Sequence, residues 1–238
     1  MTRSELDGTA PRPRSAGRGG AVAIVATACL LLAGCAPGAS NSDPSGSTDD
    51  QPATSDPTAA DGPTFAAVGD SITDADSRDF AAGDIGPASW ARYVHDAGYG
   101  FAGGWAEWGA TTAQMAESAT SLDADTLVVL GGTNDVAFGV PFAETSANLE
   151  RIVETVGIED VVLASVPPMD AFPEGAVELN ERLEELADDR GWRFVDASEG
   201  LRTDDGMYRE GMSFDGLHPS EEGARVLGEA IAEELRDG

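Results

Sequence analysis

Phe65-Ala66-Ala67-Val68-Gly69-Asp70-Ser71-Ile72 runs from four apolar residues straight into a glycine, a carboxylate and a hydroxyl. Consecutive apolar residues without alternation read as a strand buried on both faces, the habit of parallel sheets. The glycine permits a tight turn, and a serine just past it stands at the strand end, where open parallel sheets bind their ligands. The octapeptide thus predicts a sheet type and offers a nucleophile. Taken alone, Ser71 also reads as a helix N-cap at a strand-to-helix turn.

Outward from this stretch, apolar runs alternate with helical patterns, as parallel strands joined by crossover helices require. Strands are expected near 64–69, 99–105, 125–131, 159–166 and 193–196. One helical stripe is formed by Phe142, Leu149, Ile152, Val153 and Val156, and a second by Leu179, Leu183, Leu186 and Ala187. A last helix is expected after Ser220 as its N-cap, with Ala224, Leu227, Ile231 and Leu235 on one face.

A serine hydroxyl becomes a useful nucleophile when a base takes its proton, so a histidine, a group to orient it and oxyanion donors must be found. The chain has two histidines. His95 falls in a helical pattern, whereas His218 follows Asp215 by three residues in Asp215-Gly216-Leu217-His218, close enough for one loop to join carboxylate and imidazole. Gly131-Gly132-Thr133-Asn134-Asp135 delivers an amide to the strand-end surface, and Gly109 in Trp108-Gly109-Ala110-Thr111 offers an unshielded N–H. Asp215 and Asn134 each also suit a plain turn role. Asp70 and Asp135 are expected to fix loops, Trp105 and Trp108 to pack or to stack on substrate, and Pro167-Pro168 to shape a rim of the site.

With Ser71 in GDSI, Gly109 in GAT, Asn134 in GGTND and His218 in DGLHP, in that order, residues 64–236 resemble the SGNH (GDSL-type) esterase and lipase superfamily. The resemblance implies an α/β, three-layer flavodoxin-like sandwich around an about five-stranded parallel sheet. It implies Ser71 as nucleophile, His218 as base, Asp215 as its orienting carboxylate, and Ser71, Gly109 and Asn134 as the oxyanion hole. One block departs from the family pattern: Gly104 and Ala106 stand where Asn and the first Gly of Asn-x-Gly-x-x-Gly are common.

Residues 1–35 read as an address. Arg3, Arg12, Arg14 and Arg18 precede an almost wholly apolar Ala21-to-Ala33 run, the form of a signal peptide. Its end, Leu32-Ala33-Gly34-Cys35, resembles a bacterial lipobox in which Cys35 is lipidated; an ordinary secretory signal is the alternative. Residues 36–62 hold no aromatic and no aliphatic larger than Ala, so they are expected to be a disordered linker before a folded domain at 63–238. The protein is thus expected outside the cytoplasm, lipid-anchored to the membrane or secreted.

Composition excludes several classes. Both cysteines, Cys29 and Cys35, lie in the leader, so the domain has no disulfide, zinc thiolate or cysteine nucleophile. Setting aside the leader's two acids and four arginines leaves 41 acids against 10 arginines, a net charge of about −31 with no lysine. Nucleic acid and anionic headgroups are repelled, which leaves the anchor as the only membrane contact. Asp70, Asp74 and Asp76 lack the Gly and closing Glu of a calcium loop, no Gly-Lys-Ser/Thr follows Gly69, and Thr73 replaces the last glycine of a Gly-x-Ser-x-Gly elbow. The expectation is a monomeric, metal-free and cofactor-free serine hydrolase acting on an acetyl or short-chain ester of a carbohydrate or lipid. An O-acyltransferase using a glycan or other alcohol acceptor and a non-catalytic surface binding protein are the alternatives.

Overall fold

The computed structural model describes residues 62–238, so Cys35 and the leader lie outside the described residues, as does all of the linker but Gly62. Five strands form: β1 (Thr64–Gly69), β2 (Gly100–Ala106), β3 (Thr126–Leu130), β4 (Val161–Ala164) and β5 (Arg193–Val195). They make one sheet in the order β2-β1-β3-β4-β5, every neighbouring pair parallel. The three inner strands are the uninterrupted apolar runs; β3 and β4 are buried throughout and β1 at all but Thr64.

Among the described residues seven α-helices alternate with these strands: α1 (Ser71–Asp74), α2 (Trp90–Asp96), α3 (Thr112–Ser118), α4 (Thr133–Phe138), α5 (Phe142–Val156), α6 (Pro173–Arg190) and α7 (Glu221–Asp237). Crossovers between parallel strands are right-handed, so the helix after β1 and the helices after β2, β3 and β4 fall on opposite faces. The contacts agree: α2 packs on α7, while α3 packs on α5 and α5 on α6. The expected stripes bury Leu149, Ile152, Val156, Leu179, Leu183, Leu186, Ala187, Ala224, Leu227 and Ile231. Ser220 caps α7 by accepting the Gly223 N–H at 3.1 Å.

Strand order reverses between β1 and β3, the switch point at which doubly wound sheets bind ligands. Gly69 ends β1 opposite Leu130 at the end of β3, and the chain must turn there without room for a side chain. A Cβ on Gly69 would lie 2.0 Å from Thr73 Oγ1 and 2.8 Å from the Leu130 carbonyl oxygen. Asp70, and not Ser71, caps the one-turn helix α1, its Oδ1 accepting the Ile72 N–H at 3.0 Å. Two buried bonds then hold α1 against α2: Ser89 Oγ donates to the Thr73 carbonyl at 2.5 Å and Trp90 Nε1 to Thr73 Oγ1 at 2.9 Å.

The departure at Gly104 has a physical counterpart. The β1–β2 register shifts between Phe65 and Ala67, and the backbones close up beside Gly104 until a Cβ there would lie 2.0 Å from the Ala67 carbonyl oxygen. No side chain fits at that point of β2 without separating the strands. Gly104→Ala is therefore expected to cost about 1–3 kcal/mol or more, read as a lower midpoint in urea denaturation.

Candidate active site

The loop that carries His218 is built from its own short polar side chains. Asp215 Oδ1 accepts the N–H of Leu217 at 3.0 Å and of His218 at 2.8 Å, while Oδ2 meets His218 Nδ1 at 2.9 Å. Ser213 Oγ accepts the Gly216 N–H at 2.9 Å and donates to the His218 carbonyl at 2.7 Å. From outside the loop, Asp170 N–H donates to the Gly216 carbonyl at 2.8 Å and Tyr208 Oη to the Leu217 carbonyl at 2.9 Å. So held, His218 Nε2 lies 3.1 Å from Ser71 Oγ, across 147 residues of sequence.

The carboxylate, the imidazole and the hydroxyl thus stand in line. Partial burial pushes the Asp215 carboxyl up, but the N–H groups of His218 and Leu217 together with the imidazole outweigh it, so the group sits below the ordinary carboxylate range. Ionised, it accepts the Nδ1 proton, which leaves Nε2 as the acceptor facing Ser71.

Asn134 lies in the first turn of α4, and its Nδ2 donates to the Ala110 carbonyl at 3.0 Å. One of its two amide protons is so engaged, and the other remains for a ligand. Gly109 is exposed at φ +73°, with no atom within 4 Å of a Cβ position. Its neighbours tie it to the site: Trp108 lays its ring 4.7 Å from that of His218, and Ala110 holds Asn134. Asp135 is the buried anchor of this side, accepting Thr112 N at 2.9 Å, Thr112 Oγ1 at 2.5 Å and Thr145 Oγ1 at 2.9 Å.

A small cavity of about 60 Å³ opens beside Ser71, lined by Ile72, Ala75, Asp76, Ala88, Trp108, Phe214, His218 and Pro219. Trp105 packs on the core instead. Pro167 and Pro168 are buried and do not line this cavity; they lead into Asp170, which braces the His218 loop. His95 is an exposed residue of α2, its Nδ1 3.0 Å from the Tyr99 carbonyl. Among the described residues no group of three His, Cys, Asp or Glu is placed to hold a metal ion.

Sequence reasoning missed the roles of Thr112, Thr145, Asp170, Tyr208 and Ser213. Thr112, Thr145, Asp170 and Tyr208 meet partners in other elements or farther along the chain, so no local spacing marks them, while Ser213 bonds within its own loop as any turn serine does.

Asp70 is wholly buried and one of its oxygens, Oδ2, has no hydrogen-bond partner. Burial pushes its carboxyl up to about 7, against the lowering effects of the Ile72 N–H and of His218.

The sequence pattern of the GDSL-like lipase/acylhydrolase family matches residues 67–226. The fold is similar to that of a lipase/acylhydrolase from Enterococcus faecalis, with TM-score 0.59 and 20% identity over 74% of this chain and 96% of that one. A GDSL-like lipase from Bacteroides thetaiotaomicron gives TM-score 0.56 and 22% identity over 73% of this chain and 88% of that one. A mutant of an acetyl-xylooligosaccharide esterase from Geobacillus gives TM-score 0.58 and 20% identity over 73% of this chain and 94% of that one. No curated protein sequence matches the chain significantly.

A carboxyl whose folded pKa is raised stabilises the fold relative to its ionised form only while protonated. Between its unfolded value of 3.8 and about 7 the native state binds more protons, so stability falls as pH rises through that window. Asp70→Asn keeps an acceptor for the Ile72 N–H and abolishes the burial of charge. Urea midpoints are expected to favour this variant over wild type increasingly from pH 4.5 to pH 7.5.

Proposed function

The chain belongs to the GDSL-like lipase/acylhydrolase family, and on that basis we propose that it hydrolyses small O-acyl esters through a covalent acyl-enzyme on Ser71. The observation that carries this reading is the line Ser71 Oγ, His218 Nε2 and His218 Nδ1, Asp215 Oδ2, with separations of 3.1 and 2.9 Å. These are hydrogen-bond distances, as a nucleophile, its base and the base's orienter need.

The steps follow from the placement. His218 Nε2 takes the hydroxyl proton while Ser71 Oγ bonds to the ester carbonyl carbon, whose oxygen becomes an oxyanion. The free Asn134 amide proton and the N–H groups of Ser71 and Gly109 receive that charge. On collapse the bond to the alcohol oxygen breaks and His218 returns its proton to the departing alcohol. Water then attacks the acyl-enzyme with His218 again as base, releasing the acid and restoring Ser71. Asp215 holds the imidazole in the required tautomer and offsets the imidazolium charge.

The acyl part is small. The cavity of about 60 Å³ beside Ser71 is far below the roughly 300 Å³ at which drug-sized ligand sites begin. A volume of this size supports an acetyl or propionyl group as the acyl part. The acetyl-xylooligosaccharide esterase among the structural relatives supports the same acyl class. For the leader, the run Leu32-Ala33-Gly34-Cys35 supports a lipid anchor on Cys35 that tethers the domain outside the cytoplasm.

Ser71→Ala is expected to abolish both fluorophosphonate labelling and turnover of 4-nitrophenyl acetate; persistent labelling would move the nucleophile elsewhere. Asn134→Ala is expected to lower kcat about 10²–10³-fold, in the same assay. In a panel of nitrophenyl esters kcat/KM is expected to fall sharply beyond propionate. Fractionation of cells expressing the full chain is expected to find wild type with the membrane and Cys35→Ala released from it.

A further inference from the structure

We propose that the mouth of the Ser71 cavity selects esters whose alcohol part carries a positive charge, through Asp76, Trp108 and Phe214. This rests on the reading of Ser71 as nucleophile and adds to it the identity of the leaving group.

The cavity has a floor and a rim that differ in chemistry. Ile72, Ala75 and Pro219 are buried and apolar and form the floor, where the acyl group sits. Asp76, Trp108 and Phe214 are exposed and form the rim, Trp108 at 48% and Phe214 at 67% of full exposure. With the acyl group on the floor and the ester oxygen at His218 Nε2, the remainder of the alcohol crosses this rim. Two open aromatic side chains beside a nucleophile mark a contact surface for a ligand.

Aromatic faces alone suit an apolar group, a sugar ring or a cation, and Asp76 decides between them. Ala75 and Asp76 have φ of +44° and +57°, a conformation that non-glycine residues seldom adopt. This left-handed pair ends α1 after one turn and brings Asp76 to the cavity. Strain of this kind persists where the surroundings over-determine it, most often at functional sites. Among the described residues nothing donates a hydrogen bond to the Asp76 side chain, and no arginine lines the cavity.

Asp74 and Glu107 add charge of the same sign, and the neighbouring Arg78 is paired with Asp84. Partial burial raises the Asp74 carboxyl, an effect that Asp76 and Glu107 reinforce and that the Trp108 indole and the Asp76 N–H oppose. Asp74 therefore adds to the negative potential around the indole. An anionic substituent is repelled from such a mouth and a neutral one gains only contact. An ammonium group gains both the carboxylate and the ring faces, the combination by which proteins hold quaternary ammonium ligands.

A substrate pair of equal shape isolates the charge: acetylcholine against 3,3-dimethylbutyl acetate, which replaces nitrogen by carbon. Wild type is expected to show kcat/KM on the order of tenfold higher for the cation, with the ratio falling as salt is raised. In Asp76→Asn, a residue that tolerates positive φ, the ratio is expected to move toward one; because it is taken within one protein, a general loss of activity does not affect it. A ratio of one or less in wild type, or one that Asp76→Asn leaves intact, overturns the proposal. So does turnover of 4-nitrophenyl acetate with neither member of the pair accepted. If no ester is turned over at all, the hydrolase reading fails instead, and the rim is read by tryptophan fluorescence. Saturable quenching by tetramethylammonium and not by tert-butanol then supports the cation site, and its absence overturns it.

Discussion

The parallel pairing of β1 with β3 is the interaction on which the rest depends. It sets Gly69 against Leu130 and so fixes, side by side, the two loops that bear Ser71 and Asn134. Because strand order reverses at this pair, the helices that follow diverge to opposite faces and leave a crevice above the strand ends. The close approach leaves no space for a side chain at residue 69, where a Cβ would collide with Thr73 and Leu130. A serine two residues past so crowded a point has little positional freedom, which is what a nucleophile requires.

Most of the architecture was legible in the sequence because strands buried on both faces leave contiguous apolar runs. Val161 to Ala164 shows the limit of that signal: the expected strand over 159–166 is longer than the observed one. Residues 165–169 are as buried as a strand, yet Val166 gives both its N–H and its carbonyl to Asn180 and so leaves the ladder. Burial and strand pairing are separate properties, and an apolar run reports only the first. The Gly104 close approach was equally hidden, since a register shift between neighbouring strands leaves no mark in either strand alone.

The site was legible where its residues lie within a few positions of each other, as in Asp215 to His218, and where histidine is scarce. It was not legible where distant loops meet. That Trp108 would lie on His218 and that Asp170 would brace its loop both depend on how strand-end loops converge. Ser71 as N-cap was a fair competing reading of the same turn. The structure gives that task to Asp70, and the serine hydroxyl is left to face His218.

The two carboxylates nearest the line of Ser71 and His218 do different work because their surroundings differ. Asp215 is more than half exposed, and an exposed ion pair with histidine is by itself worth little. Its effect comes from geometry: one oxygen gathers two backbone N–H groups and the other the imidazole, so orienting the ring and closing the loop are the same event. Asp70 has the opposite setting, with no exposed surface and a single accepted N–H on its paired oxygen. Its burial holds a proton near neutral pH, so the turn that presents the nucleophile carries its least electrostatic strain when that carboxyl is neutral. One carboxylate therefore acts through the donors that its charge gathers, and the other through the proton that its burial retains.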